Sequence, residues 1–367
     1  MSRIHYRIVF LGLLLLLSFP LVSAHVPIAP ADGDTLETAI EINNPTKSWV
    51  IYSELHEAQH AQYFTFEMNE GDRIRLILSI PIYETHSFYP VLVLMGPGIA
   101  DQGTPPTYIE HPEDAGIAVY EETGRHADYE GFTPTSFYKL IDIDTEAPET
   151  GRYYVAVFEP EDIGGISLAV GYRETFTLQE WILVPISVIT IHQWNGQSLL
   201  MIFLPFAVVL AIGILLYYRK SRDAVTQRSG ILLIGQIAAF LFIASGVAIF
   251  YQMIIALLNT SMNIQILITT MFGLIPILLG RYASSLLSSH GLTSSYRGPL
   301  KLLFLSVVAI FAWSGLIIGP ILLFIAGTGL LIIEKKSEAL PEIGTEVDTI
   351  SLSLHYSSGG QNLMPRS

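Results

Sequence analysis

The chain of 367 residues contains no cysteine. Disulfide bonds, thiolate nucleophiles and cysteine-ligated metals are therefore excluded, and an exported domain of this chain must be held together by its hydrophobic core. Acidic residues are also absent from a long C-terminal stretch, because none lies between Asp223 and Glu334. In a chain that is 51% hydrophobic, such a stretch is typical of membrane-spanning helices.

Basic residues are scarce in the N-terminal half. Between His25 and Thr175 there are 26 acidic residues and only 7 basic ones. A surface of this charge repels nucleic acid and anionic lipid headgroups, so we exclude nucleic acid as a partner of this half. The sequence therefore divides into an acidic half suited to water and an apolar half suited to lipid.

The first 24 residues have the composition of a secretory signal peptide. Arg3 and Arg7 precede a short apolar run, and the stretch ends in the small residues of "VSA" at Ala24. A basic start, a short apolar run and a small-x-small end form the pattern that signal peptidase recognises. We predict a signal peptide over residues 1–24, whose cleavage leaves His25 at the mature N-terminus. An uncleaved anchor helix is the alternative.

Residues 25–175 alternate between short apolar runs and turn signals. Several runs alternate apolar and polar residues with period two, which is the pattern of half-buried strands. The clearest are "SWVIYS", "QYFTFEM", "DRIRLILS", "PVLVLMG", "GIAVYEE", "FYKLIDI", "RYYVAVF" and "ISLAVGY". Strands at this spacing predict an all-β ectodomain of the sandwich or jelly-roll type. We expect its ligand site in the long, loop-rich segment 100–135.

Two stretches of this half carry a family resemblance. They are "SWVIYSELHEAQHAQYFTFEMNEGDRIRLIL", which follows "LETAIEI", and "TGRYYVAVFEPEDIGGISLAVGY". Over residues 35–172 they resemble the pre-peptidase C-terminal type of extracellular β-sandwich. The resemblance implies a non-catalytic accessory domain of a surface or secreted protein. Segment 100–135 departs from the family pattern, so the resemblance implies no ligand residue there.

The pentapeptide "HEAQH" at residues 56–60 matches the HExxH signature of zinc metalloproteases. In those enzymes a helix places both histidines on one face to bind zinc, and the glutamate acts as a base. Here the flanking runs "SWVIYSEL" and "QYFTFEM" both have strand patterns. We therefore interpret the pentapeptide as a hairpin loop and predict that the protein is not an enzyme. A membrane-tethered metallopeptidase is the least favoured alternative.

Copper binding is a separate hypothesis, centred on His25. The α-amine and imidazole of an N-terminal histidine chelate Cu(II) together. The stretch "HVPIAPADGDTLETA" is also similar, over about fifteen residues, to the start of the bacterial periplasmic copper-resistance proteins, whose N-terminal histidine binds copper. The predicted metal residues are His25, His56 and His60, and other histidines that could add ligands are His86, His111 and His126.

The apolar half predicts four or five membrane spans. The predicted spans are residues 198–218, 231–258, 264–284, 302–318 and 320–334. The last two form one charge-free run, which as a single helix would reach about 48 Å and exceed a hydrocarbon core of ~30 Å. Gly319-Pro320 interrupts this run, so we predict two short helices and a total of five spans. A single kinked helix would give four.

The remaining segments follow from charge and polarity. Residues 176–196 are apolar but too short to span, and tryptophans near both ends favour a position at the membrane interface. Basic loops follow the first and third spans within residues 197–335, which places those loops inside by the positive-inside rule. Residues 336–367 are polar and predicted to be disordered.

Taken together, these patterns predict a multi-pass protein of the cell membrane with an extracytoplasmic sandwich at its N-terminus. Its expected partners are membrane lipid and an extracellular protein or small molecule. The copper-binding protein is the alternative.

Overall fold

A computed structural model describes residues 25–28, 33–84, 87–122, 124–222, 230–288 and 296–339. The predicted signal peptide and residues 340–367 of the predicted tail lie outside the described residues.

The N-terminal part folds into two β-sheets. In the described residues, one sheet has six strands in the order β1-β3-β11-β5-β9-β8, and the other has five in the order β2-β4-β10-β6-β7. The all-β fold that the sequence predicts for this half of the chain is thereby confirmed. The strands are β1 (Val26–Ile28), β2 (Ile40–Glu41), β3 (Trp49–Leu55), β4 (Ala61–Met68), β5 (Arg73–Pro81), β6 (Val91–Gly96), β7 (Gly116–Tyr120), β8 (His126–Glu130), β9 (Thr135–Glu146), β10 (Gly151–Phe158) and β11 (Gly164–Val170).

Alternation along each strand determines which residues fill the space between the sheets. On β5, Leu76 and Leu78 are fully buried, whereas Arg75 points to the opposite face. Phe66 on β4 is paired with Tyr153 on β10, and their rings are stacked with centroids 6.2 Å apart. Burying side chains of this size contributes about 1.5–3 kcal/mol each, so a core of this kind can replace the missing disulfides.

The C-terminal part is helical. Its described helices are α1 (Leu178–Trp194), α2 (Leu199–Arg222), α3 (Gly230–Leu257), α4 (Gln265–Leu287), α5 (Arg297–Phe311) and α6 (Ile318–Ala339). Three of these are long and apolar enough to cross a membrane, over Leu199–Arg219, Gly230–Leu257 and Gln265–Leu287. Helix α5 has 15 residues, and the apolar part of α6 covers Ile318–Ile333, so both are shorter.

The last two helices are separated by a tight turn, but not at Gly319-Pro320. The turn covers residues 312–317, where Trp313, Gly315 and Leu316 have positive φ angles. Pro320 lies in the first turn of α6 instead. The missing N–H of a proline costs nothing there, because the first N–H groups of a helix have no partner within the helix.

Small residues allow α3 and α4 to approach closely. A Cβ added at Gly246 would lie 2.3 Å from the carbonyl oxygen of Gly273, and one at Gly280 would lie 2.5 Å from that of Ala239. Both positions therefore need glycine, as at close helix contacts in membranes.

Candidate functional site

The HEAQH pentapeptide lies in a turn between β3, which ends at Leu55, and β4, which begins at Ala61. The helix that a zinc protease needs is therefore absent from residues 56–60. His56 and His60 are exposed, and the Nε2 atom of His60 lies 3.4 Å from a carboxylate oxygen of Glu57.

The interpretation of this turn as a hairpin loop is wrong. Strand β3 pairs with β1 and β11, whereas β4 pairs with β2 and β10, so the turn crosses from one sheet to the other. The apolar pattern reveals where the two strands end but not which strands they pair with, and a sandwich can pass the chain between its sheets at any turn.

His25 lies at the other end of β3. Its Nδ1 atom is 2.6 Å from the hydroxyl oxygen of Ser48, and burial lowers the pKa of its imidazole to about 4, so the ring is neutral at pH 7. The seven residues of β3, at about 3.3 Å each, place His25 roughly 20 Å from His56 and His60. The three predicted metal residues therefore do not meet in one site.

The other histidines of the described residues do not complete a metal site. His111 and His126 are exposed, and His86 lies outside the described residues. Within the part of the chain that the structure describes, no group of three or more histidine, aspartate or glutamate residues could hold a metal ion.

The outer face of the six-stranded sheet and the helical part enclose a cavity of about 150 Å³. We call it the junction cavity. Helix α1, the start of α4 and the β8–β9 hairpin complete its walls. Its charged or titratable lining residues are His25, Arg75, Asp128, Glu130, Lys139 and Asp142, and its aromatic lining residues are Tyr52, Tyr129, Phe132, Phe137 and Trp194.

The two basic residues of the junction cavity are both paired with Asp142. The Arg75 guanidinium donates to the Asp142 carboxylate and to the carbonyl oxygen of Ile143, and Lys139 Nζ lies 3.1 Å from the same carboxylate. The hydrogen bond from Arg75 is the main reason why the pKa of Asp142 is lowered. Two cations therefore share one carboxylate, and the three groups keep a net charge of +1.

Asp128 and Glu130 have no such partner. Each accepts a backbone hydrogen bond, Asp128 from Tyr129 N at 2.9 Å and Glu130 from Phe132 N at 3.0 Å, but among the described residues neither forms an ion pair. Burial raises the pKa of Glu130 to about 8, with Asp128 adding repulsion, so Glu130 is mostly protonated at pH 7. A cation is therefore the counter-charge that the Asp128 carboxylate lacks.

Aromatic rings also line the junction cavity. The Tyr52 and Trp194 rings have centroids 4.9 Å apart, and Trp194 Nε1 donates to the carbonyl oxygen of Ile166, which fixes the indole. Burial raises the pKa of Tyr52, so its phenol stays neutral. Aromatic faces beside carboxylates attract cations through the ring quadrupole and through charge.

The β8–β9 hairpin joins the sandwich to α4. Thr269 donates to the carbonyl oxygen of Gly131 at 2.7 Å, so the Tyr129 hydroxyl, 2.6 Å away, donates to Thr269. The Gln265 side chain accepts from Gly131 N at 2.7 Å. Residues 126–134, which the sequence predicts as part of an open ligand loop, therefore attach the sandwich to the first turns of a helix.

An aromatic cluster surrounds the tip of the hairpin. The Phe132 ring lies 5.0–6.4 Å, centroid to centroid, from four rings of the helical part and its approach, those of Phe176, Trp181, Phe272 and Trp313. The two indoles are also fixed, because Trp181 Nε1 donates to Phe311 O and Trp313 Nε1 donates to Trp181 O. Phe132, an aromatic residue in an otherwise polar loop, is the one signal in the sequence for this contact.

Helix α1, the predicted interfacial segment, packs against the sandwich. It starts with a capping box between Thr177 and Glu180, and the Glu180 carboxylate also accepts from Lys47 Nζ at 2.6 Å. At its other end, the Asn195 side-chain amide donates to Thr135 Oγ1 at 2.8 Å. The helix is therefore attached at both ends.

No family model and no curated protein matches the chain. Among solved structures, a chain of CorA, a surface-associated copper-binding protein important in copper acquisition by Methylomicrobium album BG8, matches with 8% identity and a TM-score of 0.20. The match covers 41% of this chain and 100% of that one. A likeness at this TM-score carries no argument about fold or function.

Proposed function

We propose that the chain is a non-enzymatic, multi-pass protein of the cell membrane whose extracytoplasmic sandwich binds a small ammonium-bearing molecule in the junction cavity. The observation that carries the proposal is the pair of carboxyl groups, Asp128 and Glu130, that line an aromatic-walled cavity without a cationic partner among the described residues. The β-sandwich would be an accessory binding domain, as the resemblance to the pre-peptidase C-terminal type implies.

The membrane location is supported by the helical surface. Large apolar side chains such as Leu200, Ile254 and Phe304 are 58–78% exposed, which suits contact with lipid but not with water. The starts of α2 and α4 and the end of α3 lie next to the sandwich. This arrangement fits three helices that cross the membrane one after another in alternating directions. With α5 and α6 as a hairpin, the protein would cross five times and keep its basic loops inside.

The side chains that line the junction cavity indicate the class of ligand. Quaternary and primary ammonium groups are recognised by aromatic faces combined with carboxylates. Arg75 and Lys139 share the single Asp142 carboxylate, so these three groups keep one positive charge, and the Asp128 carboxylate is the group left for a ligand cation. An anionic ligand would face the unpaired carboxylate of Asp128. Binding of an ammonium group would favour the ionised form of Glu130 and release its proton.

Choline is a suitable probe for the proposed function, and 3,3-dimethyl-1-butanol is its uncharged isostere. We expect the purified full-length protein in detergent to bind choline saturably and to bind the isostere at least tenfold more weakly. The choline affinity should rise as the pH increases towards 8, because Glu130 then no longer has to lose a proton on binding. Calorimetry in buffers of different ionisation enthalpy would measure both affinity and proton release.

Asp128→Asn should weaken choline binding at least tenfold, because it removes a charge but keeps the shape of the side chain. Asp114→Asn is the matched control, since Asp114 is an exposed carboxylate on the same segment of the chain. Equal affinity for choline and its isostere, or equal losses in both variants, would refute the ammonium site.

Copper binding by His25 is the second candidate function. It is favoured by the low pKa of the His25 imidazole, which leaves the ring unprotonated and able to bind a metal at neutral pH. The Ser48 hydroxyl, 2.6 Å from Nδ1, would have to leave this nitrogen. One extra residue before His25 should lower the Cu(II) affinity of the mature protein at least tenfold by removing the α-amine from the chelate. Unchanged affinity would exclude this copper site.

A further inference from the structure

The charges that line the junction cavity are separated along the sheet. Asp128 on β8 pairs with Phe137 on β9, and Lys139 follows two positions later on the same face of β9. Asp128 and Lys139 are therefore diagonal neighbours with backbones about 7–8 Å apart. Lys139 forms its ion pair with Asp142, which it shares with Arg75. The cavity thus has a negative end at Asp128 and a positive end at Lys139 and Arg75.

The charges of the two ends cancel. Of the acidic and basic residues in the lining, two are positive, two are negative and two are mostly neutral at pH 7: Arg75 and Lys139, Asp128 and Asp142, and Glu130 and His25. A ligand with only a positive charge would pair with Asp128 but would leave the surplus charge of the positive end unmatched. A ligand with both charges pairs with both ends and leaves the complex neutral, which lowers the cost of burying each charge.

The positive end has hydrogen-bond donors left for an anionic group. A lysine ammonium has three N–H donors, and within the described residues Lys139 uses one of them, for Asp142. The side chains of both residues are 37% exposed, so an anion bound there keeps part of its hydration. A carboxylate beside Lys139 would accept charge-assisted hydrogen bonds, which are stronger than neutral ones.

The negative end combines a carboxylate with an aromatic ring. Phe137 lines the cavity opposite Asp128 across the β8–β9 ladder. An ammonium group that pairs with Asp128 therefore also lies beside the Phe137 ring, whose quadrupole attracts it. The two ends thus favour opposite groups of one ligand.

We propose that the junction cavity binds a small zwitterion, an amino acid or a betaine, whose ammonium group pairs with Asp128 and whose carboxylate pairs with Lys139. This inference rests on the proposed function, since it adds a second charge to the ammonium-bearing ligand. The cavity volume of about 150 Å³ is enough for one benzene ring, so it encloses a trimethylammonium group. The carboxylate lies at the more exposed side of the cavity, next to Lys139.

Four probes of similar shape test the proposal on the full-length protein in detergent. Glycine betaine carries both charges, choline only the positive one, 3,3-dimethylbutanoate only the negative one and 3,3-dimethyl-1-butanol neither. By calorimetry at pH 7, glycine betaine should bind at least fivefold more tightly than choline and at least tenfold more tightly than 3,3-dimethylbutanoate. Choline binding with a smaller preference for glycine betaine would overturn the zwitterion but leave the ammonium site intact. Binding of neither glycine betaine nor choline would overturn both proposals.

Lys139→Gln should change the two affinities in opposite directions. Glycine betaine should bind at least fivefold more weakly, because its carboxylate loses a cationic partner, and choline at least twofold more tightly, because a repelling charge is gone. Opposite changes cannot result from a loss of folded protein. Arg152→Gln is the matched control, since Arg152 pairs with Glu67 on the five-stranded sheet, and both affinities should stay within twofold of the wild type. Equal losses for both ligands in Lys139→Gln would overturn the pairing with the carboxylate.

A phosphocholine headgroup of a membrane lipid carries the same pair of charges in a larger group. Glycerophosphocholine, which is this headgroup without acyl chains, should bind at least tenfold more weakly than glycine betaine, because the cavity of about 150 Å³ is too small for it. Tighter binding of glycerophosphocholine than of glycine betaine would overturn the free zwitterion and assign the site to lipid.

Discussion

Phe132→Ala should release the sandwich from the helices. The Phe132 ring contacts four other rings at the tip of the β8–β9 hairpin, and truncating a large aromatic side chain in such a cluster costs about 3 kcal/mol. The backbone amide of Gly131, which donates to Gln265, should therefore exchange with solvent roughly 100-fold faster. Hydrogen exchange followed by mass spectrometry over residues 126–135 would measure this.

Phe304→Ala is the matched control. It makes the same truncation on α5, where the Phe304 ring is 69% exposed on the helical surface and lies outside the aromatic cluster. In Phe304→Ala, the backbone amide of Gly131 should exchange with solvent at the same rate as in the wild type. If Phe132→Ala changed the exchange by less than threefold, the hairpin tip would not be what holds the two parts together.

Glu130→Gln should stabilise the protein far more at pH 8 than at pH 5. The pKa of Glu130 is about 8 in the folded protein and about 4.3 in an unfolded chain. Between these values the folded state binds the extra proton, so wild-type stability falls as the pH rises. Glutamine removes this dependence, and at pH 8 the gain should be on the order of 3 kcal/mol, after discounting for partial exposure to solvent.

Unfolding curves of the two proteins at pH 5, 6.5 and 8 would test this prediction. His25 changes stability in the opposite direction, since its lowered pKa makes the protein less stable as the pH falls from 6.5 to about 4, but this effect is common to both proteins. Glu113→Gln, at an exposed carboxylate, is the control and should show no such trend. A stability difference that stays constant from pH 5 to pH 8 would contradict the assigned protonation of Glu130.

The strands that the sequence predicts are those with long alternating patterns. The apolar residues of β5 and β4 recur every second position, and the structure buries them as expected. The strands that the sequence misses are β1, β2 and β8, which have two to five residues and lie at sheet edges. An edge strand buries little apolar surface, so it leaves little periodic signal.

The candidate site could not be predicted in the same way, because contacts between distant positions create it. Asp142 pairs with Arg75 across the β5–β9 ladder, and Thr269 reaches Gly131 over 138 positions in the chain. Neither pair leaves a local pattern. The sequence draws attention to His25 because it follows the predicted cleavage site, whereas its contribution to the cavity comes from the sheet that β1 joins. Asp128 and Glu130 look like ordinary solvated residues in the sequence.

The strand order also determines when the sandwich can fold. The last two strands of the sandwich, β10 and β11, do not lie at its edges: β10 lies between β4 and β6, and β11 between β3 and β5. The five-stranded sheet is incomplete until β10 has been made, and the six-stranded sheet is incomplete until β11 has been made. Because such pairings are distant in sequence, the domain must remain incompletely folded until nearly all of it has been synthesised, and it should fold slowly compared with a helical protein. Helix α1 follows directly in the chain, so it can pack against the sandwich as soon as both sheets are complete.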